Sequence, residues 1–170
     1  MSVSSLVKST PPQIFPVPDR TERPLLSVMI PTYNCAHFLR EPLDGVLAQD
    51  LGEEQMEIEV VDDCSTKDDP EAVVHELGHG RVRFYRQPRN AGPIGNFNTC
   101  ARRSRGHWVH ILHGDDTVRP GFYARVRAGI KAHPDIGAVV FRYIYMFEDG
   151  HWQHLSELES RAPSILGDEF

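Results

Sequence analysis

The segment Leu26-Ser27-Val28-Met29-Ile30-Pro31-Thr32-Tyr33-Asn34 decides the fold, because a short apolar run passes directly into a polar turn. Such a run is typical of a strand buried on both faces of a parallel sheet. We expect a strand over residues 26–30 and then a helix with Asn34 as its N-cap. The inner face of that helix is predicted to carry Phe38, Leu39, Leu43, Val46 and Leu47, with Pro42 interrupting it.

The same strand-then-helix pattern repeats along the chain. Further strands are predicted over residues 57–61, 82–85, 108–112 and 136–143, and helices over about 70–77, 94–103 and 120–133. Asp149-Gly150 favours a hairpin turn. Strands and helices that alternate at this spacing indicate a doubly wound, mostly parallel α/β sheet.

Composition divides the 170-residue chain into three parts. Residues 1–24 are rich in proline and lack an apolar period, so we interpret them as a disordered leader. Residues 25–150 form the main domain, and 151–170 form a tail or an incomplete further segment. We expect no secretory signal, because no apolar run of suitable length follows Lys8, and no membrane span, because no apolar stretch is long enough. The cysteines lack close spacing, which fits the reducing cytoplasm.

The formal net charge of −6 argues against a nucleic-acid partner. The run between Arg81 and Arg105 nevertheless contains many arginines and no acidic residue. Such a run suits phosphate, but we interpret most of these side chains as solvated.

Polar residues follow three of the predicted strands, namely Thr32 to Asn34, Asp62-Asp63 and Asp115-Asp116. Ligands of doubly wound sheets bind beyond the carboxyl ends of the strands. Oxygen ligands suit Mg²⁺ or Mn²⁺, so we predict a metal site at Asp115 and Asp116, although a simple capping turn is the alternative. Neither a GxGxxG motif nor a P-loop is present, so the metal would neutralise a bound phosphate.

Four ordered motifs lie within roughly residues 25–143: Ile30-Pro31-Thr32-Tyr33-Asn34, Val61-Asp62-Asp63-Cys64-Ser65-Thr66, Asn90-Ala91-Gly92 with Asn98, and Leu112-His113-Gly114-Asp115-Asp116. In these motifs and their order, the chain resembles the family 2 glycosyltransferases of the GT-A fold, a Rossmann-like architecture. The resemblance implies metal-dependent transfer of a sugar from a UDP-, GDP- or dTDP-linked donor, with inversion. The acceptor would be a glycan or a lipid-linked molecule of cell-envelope polysaccharide synthesis, met in the cytoplasm or at the inner membrane face.

The resemblance also implies roles for individual residues. Nucleotide-binding positions would be Pro31, Thr32, Tyr33, Asp62, Asp63, Asn90, Gly92, Asn98 and Asp115. Asp63 would hydrogen-bond the base, and Asp115 and Asp116 would contact the ribose and the metal in an order that the sequence leaves open.

Two features depart from the family pattern. His113 stands where many members have the first Asp of Asp-x-Asp, and we interpret it as a strand-end residue rather than a metal ligand or phosphate donor. The catalytic base of the family lies in an acceptor-binding half, so we assign no base here and expect that half to be lacking. Glu148-Asp149 is better explained as a turn.

Other functions remain open. The chain would alternatively be a nucleotide-sugar-binding module that needs a further segment or partner, or a nucleotidyltransferase. His75-Glu76-Leu77-Gly78-His79 matches the zinc motif H-E-x-x-H. Gly78 and Gly80 weaken the helix at its second histidine, so we interpret the match as chance. The oligomeric state, the sugar and the base are not predicted.

Overall fold

The computed structural model describes residues 22–147 and 150–156, which fall into two compact units that divide after Phe122. The elements of the first unit are β1 (Leu26–Thr32), α1 (Arg40–Leu47), β2 (Met56–Asp62), α2 (Pro70–Gly78), β3 (Arg83–Arg86), α3 (Gly92–Arg103) and β4 (Trp108–Ile111). The second unit holds almost all of α4 (Phe122–Ala132) and the strands β5 (Ile144–Met146) and β6 (Trp152–Leu155).

The four strands of the first unit form one parallel sheet in the order β3-β2-β1-β4. The chain moves outward from β1 to β3 and then returns to the other side of β1. Because such crossovers are right-handed, this reversal places α1 and α2 on one face and α3 on the other. The predicted doubly wound α/β fold is therefore confirmed, and the strand order reverses between β1 and β4, where such sheets bind ligands.

β1 continues through Pro31 to Thr32, two residues beyond its predicted end at Ile30. The carbonyl of Pro31 accepts a hydrogen bond from Gly114 N at 3.2 Å, on the β4 side of the strand. The ladder of hydrogen bonds between β1 and β4 ends at the Met29–Ile111 pair. Residue 31 lies beyond that pair, so β4 has no carbonyl that requires an N–H from it. A proline in this central strand therefore breaks no ladder bond.

The first helix differs most from its prediction. Asn34 is not an N-cap, since it has φ of 51° and lies several residues before α1 begins at Arg40. Pro42 does not interrupt the helix, because it lies in the first turn, where no intrahelical N–H is required. Phe38 precedes the helix and is 40% exposed rather than inward-facing. The predicted inner residues Leu39, Leu43 and Val46 are fully buried.

The other elements of the first unit begin and end within two residues of their predicted limits. Asp69 caps α2 by accepting a hydrogen bond from Ala72 N at 3.2 Å, and Pro70 follows at the first helical position. The α3 face of the sheet has a small core of Met29, Val61 and Cys100, against which Tyr85 and Ile111 pack.

The arginine-rich run supports the fold. Most of its arginine side chains are exposed, as interpreted from the sequence, but five of the arginines also pair with carboxylates. Arg83 bridges Glu57 and Glu59 at 2.9 Å each, and these carboxylates lie almost fully buried on β2. The remaining carboxylate pairs are Arg81 with Asp50, Arg86 with Asp62, Arg103 with Glu59 and Arg105 with Glu57.

The second unit contradicts one predicted strand. Residues 136–143 form no strand, and Val140 and Tyr143 are 76% and 57% exposed. The strand begins at Ile144, because its antiparallel partner β6 ends opposite it at Leu155. The predicted hairpin is present, although Glu148 and Asp149 lie outside the described residues. No helix in the described part of the chain is long and apolar enough to cross a membrane.

Candidate functional site

Side chains join the loops that follow β1 and β2. The side-chain oxygen of Asn34 accepts hydrogen bonds from Thr66 N at 2.9 Å and Lys67 N at 3.0 Å, while Asn34 N donates to Ser65 Oγ at 2.8 Å. Asp68 adds a fourth contact by accepting from Ala36 N at 2.7 Å. The two loops therefore form one ordered rim at the carboxyl edge of the sheet.

The carboxylates of Asp62 and Asp63 have different partners, although Asp62 ends β2 and Asp63 directly follows it. The carboxylate of Asp62 is fully buried, accepts from Ser65 N and Oγ, and pairs with Arg86 at 2.7 Å. It therefore holds the Ser65 turn. The structure does not bring this carboxylate to the open edge, where the sequence had placed it beside Asp63.

Asp63 lies at the N-terminus of α3. Its Oδ1 atom accepts hydrogen bonds from Ala91 N at 2.7 Å and from the Gln87 amide at 2.9 Å. The helix dipole favours a negative charge at this place. Asn96, which is also buried, receives a hydrogen bond from Gln87 at 3.0 Å and donates to Val61 O at 2.9 Å. These contacts fix the position of the Asp63 carboxylate.

Sequence reasoning missed Gln87 and Asn96. Gln87 directly follows β3, so the rule that selects polar residues at strand ends also applies to it. The resemblance points to Asn98, but Asn98 is only half-buried, and it is Asn96 that joins the network around Asp63.

The other predicted nucleotide residues surround this network. Asn90 donates to the Asp63 carbonyl at 3.3 Å and accepts from Gly92 N at 3.1 Å. Gly92 has φ of 75°, a conformation that glycine adopts without strain. Pro31 and Thr32 are buried, whereas Tyr33 is 47% exposed beside them.

The candidate metal residues lie in one turn after β4. Asp116 N donates to His113 O at 3.1 Å, which closes the turn, and buried Gly114 packs against the end of β1. A Cβ atom on Gly114 would lie 3.2 Å from Pro31 O and 3.3 Å from Cys35 Sγ. Ligand atoms of His113, Asp115 and Asp116 all lie within 4.8 Å of one another, and all three residues are exposed.

The end of β1 joins the two polar clusters. The Pro31 carbonyl binds Gly114 N in the metal turn, and the Thr32 carbonyl binds Asp63 N at 2.9 Å. The structure therefore brings Asp63 and the Asp115-Asp116 turn to the same edge, on either side of β1.

The electrostatics of the turn favour a cation. Partial desolvation raises the pKa of Asp116, and the neighbouring charge of Asp115 raises this pKa further, against a lowering by His113. Two carboxylates held this close repel each other, and a divalent cation removes that repulsion. Exposed ligands also leave coordination positions open for phosphate oxygens. The donor set therefore fits a divalent metal.

The H-E-x-x-H match does not form a comparable group. α2 ends at Gly78, and His79 lies beyond it with φ of 44°, so the two histidines do not share one helical face. Glu76 pairs with Arg40 across the surface. Within the described residues, the His113 turn is the only cluster with metal-ligand spacing.

The comparisons with known proteins agree with this architecture. The sequence model of glycosyl transferase family 2 matches residues 27–168, so the chain belongs to that family. It is 36% identical over 130 residues to the succinoglycan biosynthesis protein ExoO of Rhizobium meliloti, covering 76% of this chain and 34% of ExoO. It is 35% identical over 98 residues to chondroitin synthase of Escherichia coli, covering 57% of this chain and 14% of that protein.

Solved structures of glycosyltransferases share the fold. The S. aureus TarS fragment 1-349, also determined with UDP-GlcNAc, matches with a TM-score of 0.59 and 28% identity, over 64% of this chain and about a third of its own. The mannosyltransferase PcManGT of Pyrobaculum calidifontis, in complex with GDP-Man and Mn²⁺, matches with a TM-score of 0.56 and 27% identity over 71% of this chain and 36% of its own. The chain thus spans about a third of the length of ExoO and of these two structures.

Proposed function

We propose that this chain forms the donor-binding part of an inverting, metal-dependent glycosyltransferase that moves a sugar from a nucleoside-diphosphate donor to an acceptor hydroxyl. The observation that carries the proposal is the pairing of the Asp63 network and the Asp115-Asp116 turn on either side of β1. The nucleoside would bind at the first cluster and the diphosphate at the second.

Asp63 is the residue we assign to recognition of the base. Its Oδ1 atom is fixed by Gln87 and the α3 N-terminus, which leaves Oδ2 as the atom to accept an N–H from the ring. A charge-assisted hydrogen bond from a fixed carboxylate is stronger than a neutral one. Tyr33 and Asn98 would contact the nucleoside, and Asn90 with Gly92 would hold the loop before α3.

Asp115 and Asp116 are the residues that would hold the cation, Mn²⁺ or Mg²⁺. A metal bound there supplies Lewis-acid stabilisation of the departing diphosphate. The protein residues contribute the fixed turn, which Gly114 anchors against β1. No glycine-rich phosphate loop is present in the sequence, so the metal held by this turn would neutralise the phosphate.

The acceptor would be a glycan or a lipid-linked sugar of envelope polysaccharide assembly, met in the cytoplasm or at the inner face of the membrane. The name of the relative ExoO, a succinoglycan biosynthesis protein, supports this class. Family membership favours this function over a nucleotidyltransferase.

Calorimetry tests the proposed function. Each of UDP, GDP and dTDP is titrated into the full chain with Mn²⁺, with Mg²⁺ and with EDTA. We expect one nucleotide to bind in the presence of metal and to lose most of its affinity in EDTA, and we expect Asp116→Asn to remove the metal-dependent part. Glu53→Gln is the matched control, because this exposed carboxylate precedes β2, whereas Asp63 follows the other end of the strand. Equal affinity of each nucleotide with and without EDTA would contradict the metal role.

A second candidate is a nucleotide-sugar-binding module that needs a further segment or partner for turnover. The chain spans only about a third of the length of ExoO, which supports this second candidate. A positioned general base contributes roughly 10²–10⁴-fold to such a transfer. Release of nucleoside diphosphate from a panel of nucleotide sugars with Mn²⁺ and mixed acceptors separates the two. Robust acceptor-dependent release identifies an enzyme complete in these residues, and slow donor hydrolysis alone identifies the module.

A further inference from the structure

His113 lies in the turn that carries the candidate metal carboxylates, yet the proposed function gives its imidazole no role. The side chain is exposed, and its ligand nitrogen belongs to the group whose atoms lie within 4.8 Å of one another. Asp115 and Asp116 supply only oxygen atoms. The imidazole therefore changes the chemistry of the donor set if it also binds the metal.

The backbone places the imidazole beside the carboxylates. His113 and Asp115 flank Gly114, which is buried and donates to Pro31 O at 3.2 Å, and both side chains are exposed. The hydrogen bond from Asp116 N to His113 O closes the turn at 3.1 Å. The three residues therefore belong to one closed turn.

The His113 ring is also oriented from a second element. Phe97 on α3 packs against it with ring centroids 5.2 Å apart and planes tilted by 40°. A metal-binding histidine needs a fixed ring direction, which a neighbouring group normally provides. Phe97 provides it here by packing rather than by hydrogen bonding.

We propose that His113 is the third protein ligand of the metal held by Asp115 and Asp116, and that it biases the site toward Mn²⁺ and later first-row ions over Mg²⁺. This inference rests on the proposed function, because it assumes the same metal site. Mg²⁺ takes oxygen ligands and keeps its waters, whereas an imidazole nitrogen suits transition metals. A site with one nitrogen and two carboxylate donors therefore discriminates against Mg²⁺, unlike a site built from aspartates alone.

Pulsed electron paramagnetic resonance tests the ligand directly. Mn²⁺ is bound to the full chain at pH 8, where histidine is neutral, with and without the nucleoside diphosphate selected by calorimetry. We expect an electron spin-echo modulation from a coordinated ¹⁴N nucleus, which changes to that of ¹⁵N when only histidine is labelled. The modulation should vanish in His113→Ala and in His113→Asp. His107→Ala, at another exposed histidine just before β4, should retain it.

Metal affinities test the selectivity. We expect His113→Ala to weaken Mn²⁺ binding by about tenfold or more, since disturbing even the surroundings of a metal site costs about 10–100-fold. His113→Asp should restore binding with oxygen donors only, so the ratio of Mn²⁺ to Mg²⁺ affinity should fall relative to wild type. An unchanged ratio in His113→Asp would overturn the selectivity.

The outcomes separate this inference from the proposed function. Mn²⁺ that supports nucleotide binding without nitrogen modulation overturns the His113 ligand and leaves the glycosyltransferase proposal standing. Weakened nucleotide binding in His113→Ala with unchanged metal affinity also overturns it, because the imidazole then contacts phosphate. Nitrogen modulation without metal-dependent nucleotide binding supports the ligand and counts against the proposed function.

Discussion

The side-chain amide of Gln87 donates at once to Asp63 Oδ1 at 2.9 Å and to Asn96 at 3.0 Å, which joins the ends of β2 and β3 to α3 below the candidate nucleoside pocket. The Asp63 carboxylate is 2% exposed. Its direction is thus set by the fold before any ligand arrives, and a preorganised group loses little entropy on binding.

Replacing Asp63 tests its proposed contact with the base. We expect Asp63→Ala to weaken nucleoside binding by about 1.5–3 kcal/mol, the usual cost of losing a hydrogen bond to a charged group. Calorimetric titration of the nucleoside monophosphate without metal isolates this contact from the diphosphate contacts.

Because Asp63 also caps α3, thermal unfolding of the variant is measured alongside. Asp44→Asn, at an exposed carboxylate on α1, is the control. Wild-type affinity in a folded Asp63→Ala protein would show that Asp63 serves the fold alone.

A methyl group at Gly114 should disturb the metal turn. Its Cβ would lie 3.2 Å from Pro31 O and 3.3 Å from both Cys35 Sγ and Thr32 Oγ1, closer than comfortable packing allows. We therefore expect Gly114→Ala to shift the turn and to weaken metal-dependent binding of the nucleoside diphosphate.

Gly129→Ala is the matched control, because Gly129 lies on α4 with open space around the added atom. In that helix the substitution should stabilise by about 0.5–1 kcal/mol. The affinity of both variants for the nucleoside diphosphate is measured by calorimetry with and without Mn²⁺. A Gly114→Ala protein that binds like wild type would refute the packing argument.

The buried ion pairs on β2 should matter for stability. Glu59 is 1% exposed and bonds Arg103 Nε at 2.8 Å as well as Arg83. Arg103→Gln leaves this buried carboxylate with one cation, and breaking such a pair costs about 3–5 kcal/mol when no other partner remains. With Arg83 still present we expect a loss of about 2–3 kcal/mol in urea-induced unfolding.

Arg102→Gln is the control for this experiment, because the adjacent Arg102 is exposed and bonds the Thr99 hydroxyl rather than a carboxylate. We expect it to change stability by no more than about 0.5 kcal/mol. Similar losses in both variants would mean that the Glu59 pairs contribute nothing specific.

His110 should make the stability of the fold decrease in acid. Burial lowers the pKa of His110 from 6.5 to about 4. Since the folded pKa is the lower one, the unfolded chain binds more protons between these values, and stability falls as pH falls through that window. The loss would reach up to about 3 kcal/mol.

His110→Phe cannot be protonated and keeps a ring beside Phe122, whose centroid lies 5.1 Å from that of His110. Urea midpoints measured from pH 7 to pH 4 should decline less steeply in this variant than in wild type. The exposed His107→Phe variant should follow the wild-type curve, and parallel curves for all three proteins would argue against the burial of His110 as the cause.

The sequence was sufficient to predict the sheet of the first unit, because β1 and β2 each contain a short apolar run that passes into polar residues at the end of the strand. The sequence was also sufficient to place Asp63 and the Asp115-Asp116 turn at the carboxyl edge of the sheet, because these residues follow strands and parallel strands all end at that edge. The prediction was wrong at residues 136–143, where the length of the partner strand, and not the apolar run, sets the limits of β5.

Roles that depend on a distant partner were not predictable from local pattern. Asn34 resembles an N-cap, but its side chain bonds the loop after β2 instead of a helix. The arginines after Arg81 resemble a solvated or phosphate-binding run, but their carboxylate partners lie on β2 and before it. Asp62 and Asp63 are neighbours with the same chemistry, and only their distant partners, Arg86 for Asp62 and Gln87 for Asp63, distinguish their roles.

The contacts of Asn34 with Ser65, Thr66 and Lys67 limit how this protein can be re-engineered. If the loop after β1 were replaced by that of a relative, the loop after β2 would still be the one of this protein. The new loop would then lack the partner groups that it binds in its own protein. Each foreign loop would therefore leave polar groups unpaired at the rim. Chimeras intended to exchange nucleotide preference should accordingly transfer residues 33–39 and 63–69 together, as a single cassette.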